Sequence, residues 1–152
     1  MDMPKPGPEH KQIAKLVGNW VGDETLAPSP FDAKGGSAKA RVTNKLALDG
    51  FVVVQDYEQT RNGAVSFRGH GVFAWDPVKK CVALSWFDSM GGIPQTFTGN
   101  FKGDVLEMTS PHPMGHAKCT FDVSGGAYKF SLSMSEDGKQ WMPFMSGAYR
   151  KS

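Results

Sequence analysis

Asp88 follows Trp86 by two residues in "LSWFDSMGG", and a carboxylate beside an indole is the pairing in this chain best suited to general-base work. Aspartate ahead of Ser-Met-Gly-Gly is also a turn-capping residue, so both roles stay open. His70, His112 and His116 are the histidines placed to consider for a metal or for haem iron. Cys81 and Cys119 form no CxxC pair and read as small, reduced core residues. There is no G-x-S-x-G elbow, P-loop, dinucleotide fingerprint or H-E-x-x-H, so no catalytic residue, metal site or cofactor is assigned. What remains is an aromatic set, Tyr57, Phe67, Trp86, Phe97 and Trp141, joined by Met134 and Asp88. Its meaning depends on the elements that carry it.

Those elements are strands. Eighteen glycines and ten prolines fall between runs rich in Val, Phe, Tyr, Trp and Thr that alternate with polar residues. Turn signals such as Arg61-Asn62-Gly63, Met90-Gly91-Gly92, Ser124-Gly125-Gly126 and Glu136-Asp137-Gly138 cut the chain into ten segments. The spacing predicts strands at 19–27, 37–48, 51–60, 64–75, 81–89, 95–102, 104–110, 115–124, 127–135 and 140–150. One helix is expected over 8–17, opened by Pro8 and Glu9, with Ile13, Leu16 and Val17 on one face and Gly18 as its stop. Ten strands joined by short connections leave two edges exposed unless the first and last meet, which points to a closed, up-and-down antiparallel β-barrel in one domain spanning 1–152.

Composition excludes other classes. Seventeen basic against fifteen acidic side chains give a net charge of +2, and the basic residues are scattered, which argues against nucleic acid as a partner. No run approaches the about 20 apolar residues of a membrane span, and "MDMPKPGPEH" has no apolar signal region, so a cytoplasmic protein without a membrane partner is expected.

Gly18-Asn19-Trp20 at the start of the first strand resembles the Gly-x-Trp feature of the calycins, the lipocalins and their relatives. In order and spacing, "PEHKQIAKLVGNW", "LDGFVVVQDYE", "FRGHGVFAWDPVKK", "LSWFDSMGG", "TGNF" and the terminal "YR" resemble a bacterial family known as domain of unknown function 1579 (DUF1579), grouped with lipocalin-like barrels. The resemblance implies that Trp20 packs against Arg150 to fasten the barrel. At Trp75 the family pattern has tyrosine. A more distant similarity is to nitrobindin-type ten-stranded barrels, which carry haem on a histidine. The family itself implies no reaction and no ligand.

In a ten-strand meander the odd strands start at the helix end, so the connections near 28–36, 61–63, 90–94, 111–115 and 136–139 gather at the opposite mouth. Alternation points Ala38, Ala40, Val42, Asn44 and Leu46 inward, with Phe51, Val53, Gln55 and Tyr57, then Val65, Phe67, Gly69, Gly71, Phe73 and Trp75, then Val82, Leu84, Trp86 and Asp88, then Tyr128, Phe130, Leu132 and Met134. His70 and His116 fall on the outer face. The expected site is therefore an aromatic funnel at the mouth, lined by Tyr57, Phe67, Trp86, Asp88, Phe97, Met134 and Trp141, with room left by Gly69 and Gly71. It would take a small, mainly hydrophobic or aromatic molecule. Three other readings stay open: a haem protein, a small enzyme using Asp88, and a ligand-free homodimeric scaffold associating through Val52, Val54, Phe87 and Phe144. The "APSPFDAKGG" connection is a candidate lid.

Overall fold

The computed structural model describes residues 2–30, 32–112 and 115–152, with His112 described by its backbone alone. Helix α1 (Pro8–Ile13) runs into a 3-10 turn (Ala14–Leu16), and ten strands follow: β1 (Gly18–Leu26), β2 (Gly36–Ala47), β3 (Val52–Arg61), β4 (Ala64–Asp76), β5 (Cys81–Asp88), β6 (Gln95–Lys102), β7 (Val105–His112), β8 (Gly115–Asp122), β9 (Tyr128–Ser135) and β10 (Met142–Lys151). Each strand pairs antiparallel with the next, and β10 closes on β1. Every strand has two neighbours, so no edge is left to recruit another chain. No helix among the described residues is long and apolar enough to cross a membrane.

One end of the barrel is plugged. The helix is shorter than the sequence predicts because its last turn tightens to 3-10 geometry, which aims the Leu16 carbonyl into the interior. Trp20 Nε1 donates to that carbonyl at 3.4 Å and Asn44 Nδ2 donates to it at 2.8 Å. Both groups compensate a helix-end acceptor that would otherwise be buried alone. Ile13 and Leu16 are buried in the core, and Lys15 reaches Asp104 in the β6–β7 turn at 3.0 Å. Gly18 is already part of β1. A Cβ there would stand 2.8 Å from the Trp20 indole nitrogen, so glycine is what allows the ring to fold back over the junction.

The partner of Trp20 differs from the expected one. Trp20 lies directly opposite Lys151 in the β1–β10 register, whereas Arg150 faces Val21. Residues directly opposite each other share a face, so Lys151 sends its ammonium over the indole, 5.2 Å from the ring centroid, and Arg150 is exposed on the outer wall. A one-residue difference in register decides which cation fastens the barrel.

Inside, Trp20 stacks on Tyr128 with centroids 5.3 Å apart, Tyr128 meets Tyr149 at 5.3 Å, and Phe121 joins Phe73 at 5.3 Å. Cys81 and Cys119 are buried and free, and burial pushes the Cys119 thiol up to about 12. The predicted inward faces hold along the strand centres. They fail near the ends. Leu46 is 50% exposed beside the closed-end turn, and Val65 faces out because a β-bulge between Gln59 and Thr60 pairs it with outward Thr60. Of the four outer apolar residues, Phe87 is exposed and Val52, Val54 and Phe144 are half-buried.

Candidate functional site

At the open end three aromatic rings converge. Tyr57 meets Phe67 with centroids 6.1 Å apart and Trp86 at 6.2 Å, both edge to face, and all three side chains are half-buried. Strand alternation brings Tyr57 from β3, Phe67 from β4 and Trp86 from β5 to one face, and Gly69 lets Trp86 lie flat across β4. A Cβ on Gly69 would collide with the six-membered ring of Trp86, and one on Gly71 would crowd Leu84 and Trp86. The two inward glycines therefore seat an indole. The room expected beside them is filled.

Asp88 serves the same ring. Its Oδ2 accepts from Trp86 Nε1 at 3.0 Å and its Oδ1 accepts from the Met90 backbone at 3.0 Å, so one carboxylate fixes both the indole and the β5–β6 turn. With each oxygen already engaged, Asp88 acts as a positioning group for Trp86.

Beneath the rings lies a group that alternation would have assigned to the interior had it been carried along β1 from Trp20: Gly22 and Glu24 share the Trp20 face. Glu24 is 1% exposed. Tyr57 Oη donates to its carboxylate at 2.7 and 2.8 Å from the two oxygens, Gln59 Nε2 donates to Oε1 at 2.9 Å, and Tyr149 Oη donates to Oε2 at 2.5 Å. Tyr149 sits two residues closer to the plug and reaches Glu24 by lying over Gly147, where any Cβ would collide with the phenol. Burial, and then the charge of Glu24, raises the phenols of Tyr57 and Tyr149 well above the ordinary range. They persist as neutral donors. A second polar set lies nearer the plug, where Gln55 Nε2 donates to Asn44 Oδ1 at 3.0 Å and to Tyr128 Oη at 3.2 Å. Among the described residues no buried side-chain nitrogen or oxygen lacks a partner.

The other expected mouth residues separate. Phe97 is buried in the core, and Met134 packs half-buried against it. Trp141 lies outside the funnel. A second bulge, between Pro143 and Met145, inserts Phe144 into β10 and reverses the alternation beyond it, and the Trp141 ring sits 4.4 Å from Lys118 Nζ on the outer wall. Met145 keeps the inward side, its sulfur 3.6 Å from Gln59 Nε2. His70 stands outside, its Nδ1 2.8 Å from Asp56 Oδ1, and His116 is exposed. The His112 side chain lies outside the described residues. No group of three or more His, Cys, Asp or Glu side chains among the described residues is arranged to hold a metal ion. A groove of about 540 Å³ runs over β2 to β5 and reaches the mouth residues Tyr57, Gly69 and Asp88; among its charged side chains Arg68 pairs with Glu58 at 3.5 Å and His70 with Asp56. The 27–35 connection is pinned to β3, since Arg61 donates to Asp32 at 3.1 Å and to the Gly35 carbonyl at 3.4 Å.

Comparison with known proteins agrees with this architecture. The barrel is similar to the crystal structure of Rv2717c from M. tuberculosis, with a TM-score of 0.73 at 16% identity, covering 96% of this chain and 98% of that one. It is also similar to the crystal structure of a mutant of the fluorescent protein UnaG, with a TM-score of 0.56 at 14% identity, covering 92% of this chain and 98% of that one. At these identities the likeness is one of fold. No curated protein sequence matches the chain. A plugged, ten-stranded calycin-like barrel whose residues 5–151 match the family described as "Protein of unknown function (DUF1579)" places the chain in that family.

Proposed function

We propose that the barrel binds a small, mainly apolar or aromatic molecule at its open end, against Tyr57, Phe67 and Trp86. The observation that carries this reading is the asymmetry of the barrel: one end is stoppered by helix α1, while the other presents three half-buried rings held edge to face. Half-buried aromatic rings on a rigid wall offer large contact area at low entropic cost, the usual chemistry of a small-molecule site. The polar floor around Glu24 leaves a place for a few directional contacts.

Binding of Nile red, a neutral apolar probe, tests this. Trp86→Ala removes the central ring and is expected to weaken the probe about tenfold, equivalent to about 1.4 kcal/mol, while thermal unfolding stays cooperative. Unchanged affinity in a folded variant would place the site elsewhere.

A further inference from the structure

We propose that the molecule held at the mouth carries a positively charged nitrogen, a protonated amine or amidinium on an apolar or aromatic body, and that Glu24 recognises it. This rests on the mouth being the binding site, as argued above.

The first support is the charge balance inside the barrel. The ion pairs among the described residues are Lys15–Asp104, Arg61–Asp32, Arg68–Glu58 and His70–Asp56, and Glu24 is in none of them. A carboxylate at 1% exposure is costly to bury, and Glu24 is offset only by neutral donors, the two phenols and the Gln59 amide. The hydrogen bonds are satisfied and the charge is not. A cation brought to this carboxylate gains a partner that the fold itself does not supply.

The second is the path from the mouth. Tyr57 is both the donor to Glu24 and the ring that meets Phe67 and Trp86, so the carboxylate and the aromatic faces form one continuous wall. Aromatic faces and a carboxylate attract the same sign of charge, and an anionic ligand would meet repulsion from Glu24 at the floor.

The third is what covers Glu24. On the mouth side Gln59, two residues beyond Tyr57 on β3, donates to it, and Met145, opposite Leu26 on β1, lies against Gln59 and Tyr57. Gln59 and Met145 are both unbranched, flexible side chains. The Gln59 amide has other partners where it stands, since its Nε2 also donates to Tyr57 Oη at 3.2 Å, and the Ser66 hydroxyl lies 3.3 Å from its Oε1 and 3.2 Å from its backbone carbonyl as a donor shared between them. A ligand N–H can replace the Gln59 amide on Glu24 Oε1, with Gln59 Nε2 keeping Tyr57 Oη as its acceptor, while Tyr57 and Tyr149 keep the carboxylate in place.

The test compares three probes of one shape, naphthylmethylamine (cationic at neutral pH), naphthylmethanol and naphthoate, by calorimetry on the full chain. The amine is expected to bind wild type about tenfold or more tighter than the alcohol, with naphthoate weakest, the range for a hydrogen bond to a charged group. Glu24→Gln, which keeps the shape and removes the charge, is expected to bring amine and alcohol within about twofold of each other. Tyr149→Phe, which takes one donor from Oε2, is expected to widen the amine's advantage, and it decides the matter with the wild-type ratio should Glu24→Gln not fold. Equal affinity of amine and alcohol for wild type, or an advantage that survives Glu24→Gln, overturns the role of Glu24 alone. If none of the three binds wild type, the mouth is not the site and both proposals fall.

Discussion

Glu24 sits where three donors meet, and those donors account for two of the three tyrosines in the chain. The third, Tyr128, is buried between Trp20 and Tyr149, and burial raises its phenol as well. All three folded-state values therefore lie above the ordinary phenol value of 10.0, for one physical reason, since the phenolate would have to exist without water. The sign of the stability effect follows. An unfolded chain releases its tyrosine protons above that value and the folded chain holds them, so the stabilisation is complete below about pH 10 and is lost as pH rises beyond it. Spectrophotometric titration is expected to show no tyrosinate from the folded protein near pH 10, followed by all three phenols ionising together as the barrel unfolds at higher pH. Separate, early ionisation of one tyrosine would mean that it is solvated. Asp88 belongs to this scale too, because engagement of its oxygens by Trp86 and the turn makes it a device for aiming an indole.

At the scale of elements, the junction of α1 with β1 does more than connect them. Gly18, Trp20 and the Leu16 carbonyl form one unit, in which the missing Cβ, the folded-back ring and the compensated acceptor depend on each other. Trp20→Ala is expected to cost about 3–5 kcal/mol, as for other buried aromatic truncations. Gly18→Ala, which pushes the indole off the carbonyl, is expected to cost about 1–3 kcal/mol. Urea unfolding measures both. The same experiment separates the two cations. Lys151→Ala is expected to cost about 0.5–1 kcal/mol through the lost contact with the ring, and Arg150→Ala, on the outer wall, less than about 0.5 kcal/mol. A larger loss from Arg150 would contradict the observed register. Bulges set the other boundary of element-level reasoning: in β4 and in β10 one extra residue turned Val65 and Trp141 away from the interior.

For the molecule as a whole, closure is the decisive property. The β1–β10 seam joins residues 20–26 to 145–151 and brings both chain ends to the plugged side, where the Ser152 amide donates to the Asn19 carbonyl at 3.0 Å. The seam also completes the interior, since Tyr149 arrives from β10 to meet Glu24 from β1. A chain truncated before Met142 would expose β1 and β9 as edges and leave Glu24 short of one donor. Its expected behaviour is loss of the cooperative unfolding transition, with aggregation. A circular permutant that joins the ends by a short linker and opens at Asn62-Gly63 keeps every strand between two neighbours. It is expected to retain a single cooperative transition by circular dichroism, and loss of that transition would show that the order of strands in the chain matters as well as their pairing.

Local pattern was enough for the strand count, the sequential antiparallel order, the helix at the end opposite the mouth and the clustering of Tyr57, Phe67 and Trp86, because two-residue periodicity and turn chemistry are local and repeat ten times. Glu24 was legible by the same rule, as the residue four after Trp20 on one face, although an acidic side chain between Asp23 and Thr25 looks like surface until its neighbours across the barrel are known. The remaining features needed the folded chain. The register that gives Trp20 to Lys151, the bulges that move Trp141 outward, the collision that fills the space beside Gly69 and the convergence of three donors on one carboxylate all arise between residues distant in sequence. A strand's own pattern fixes which of its faces is apolar. Closing the sheet fixes what each inward side chain meets there.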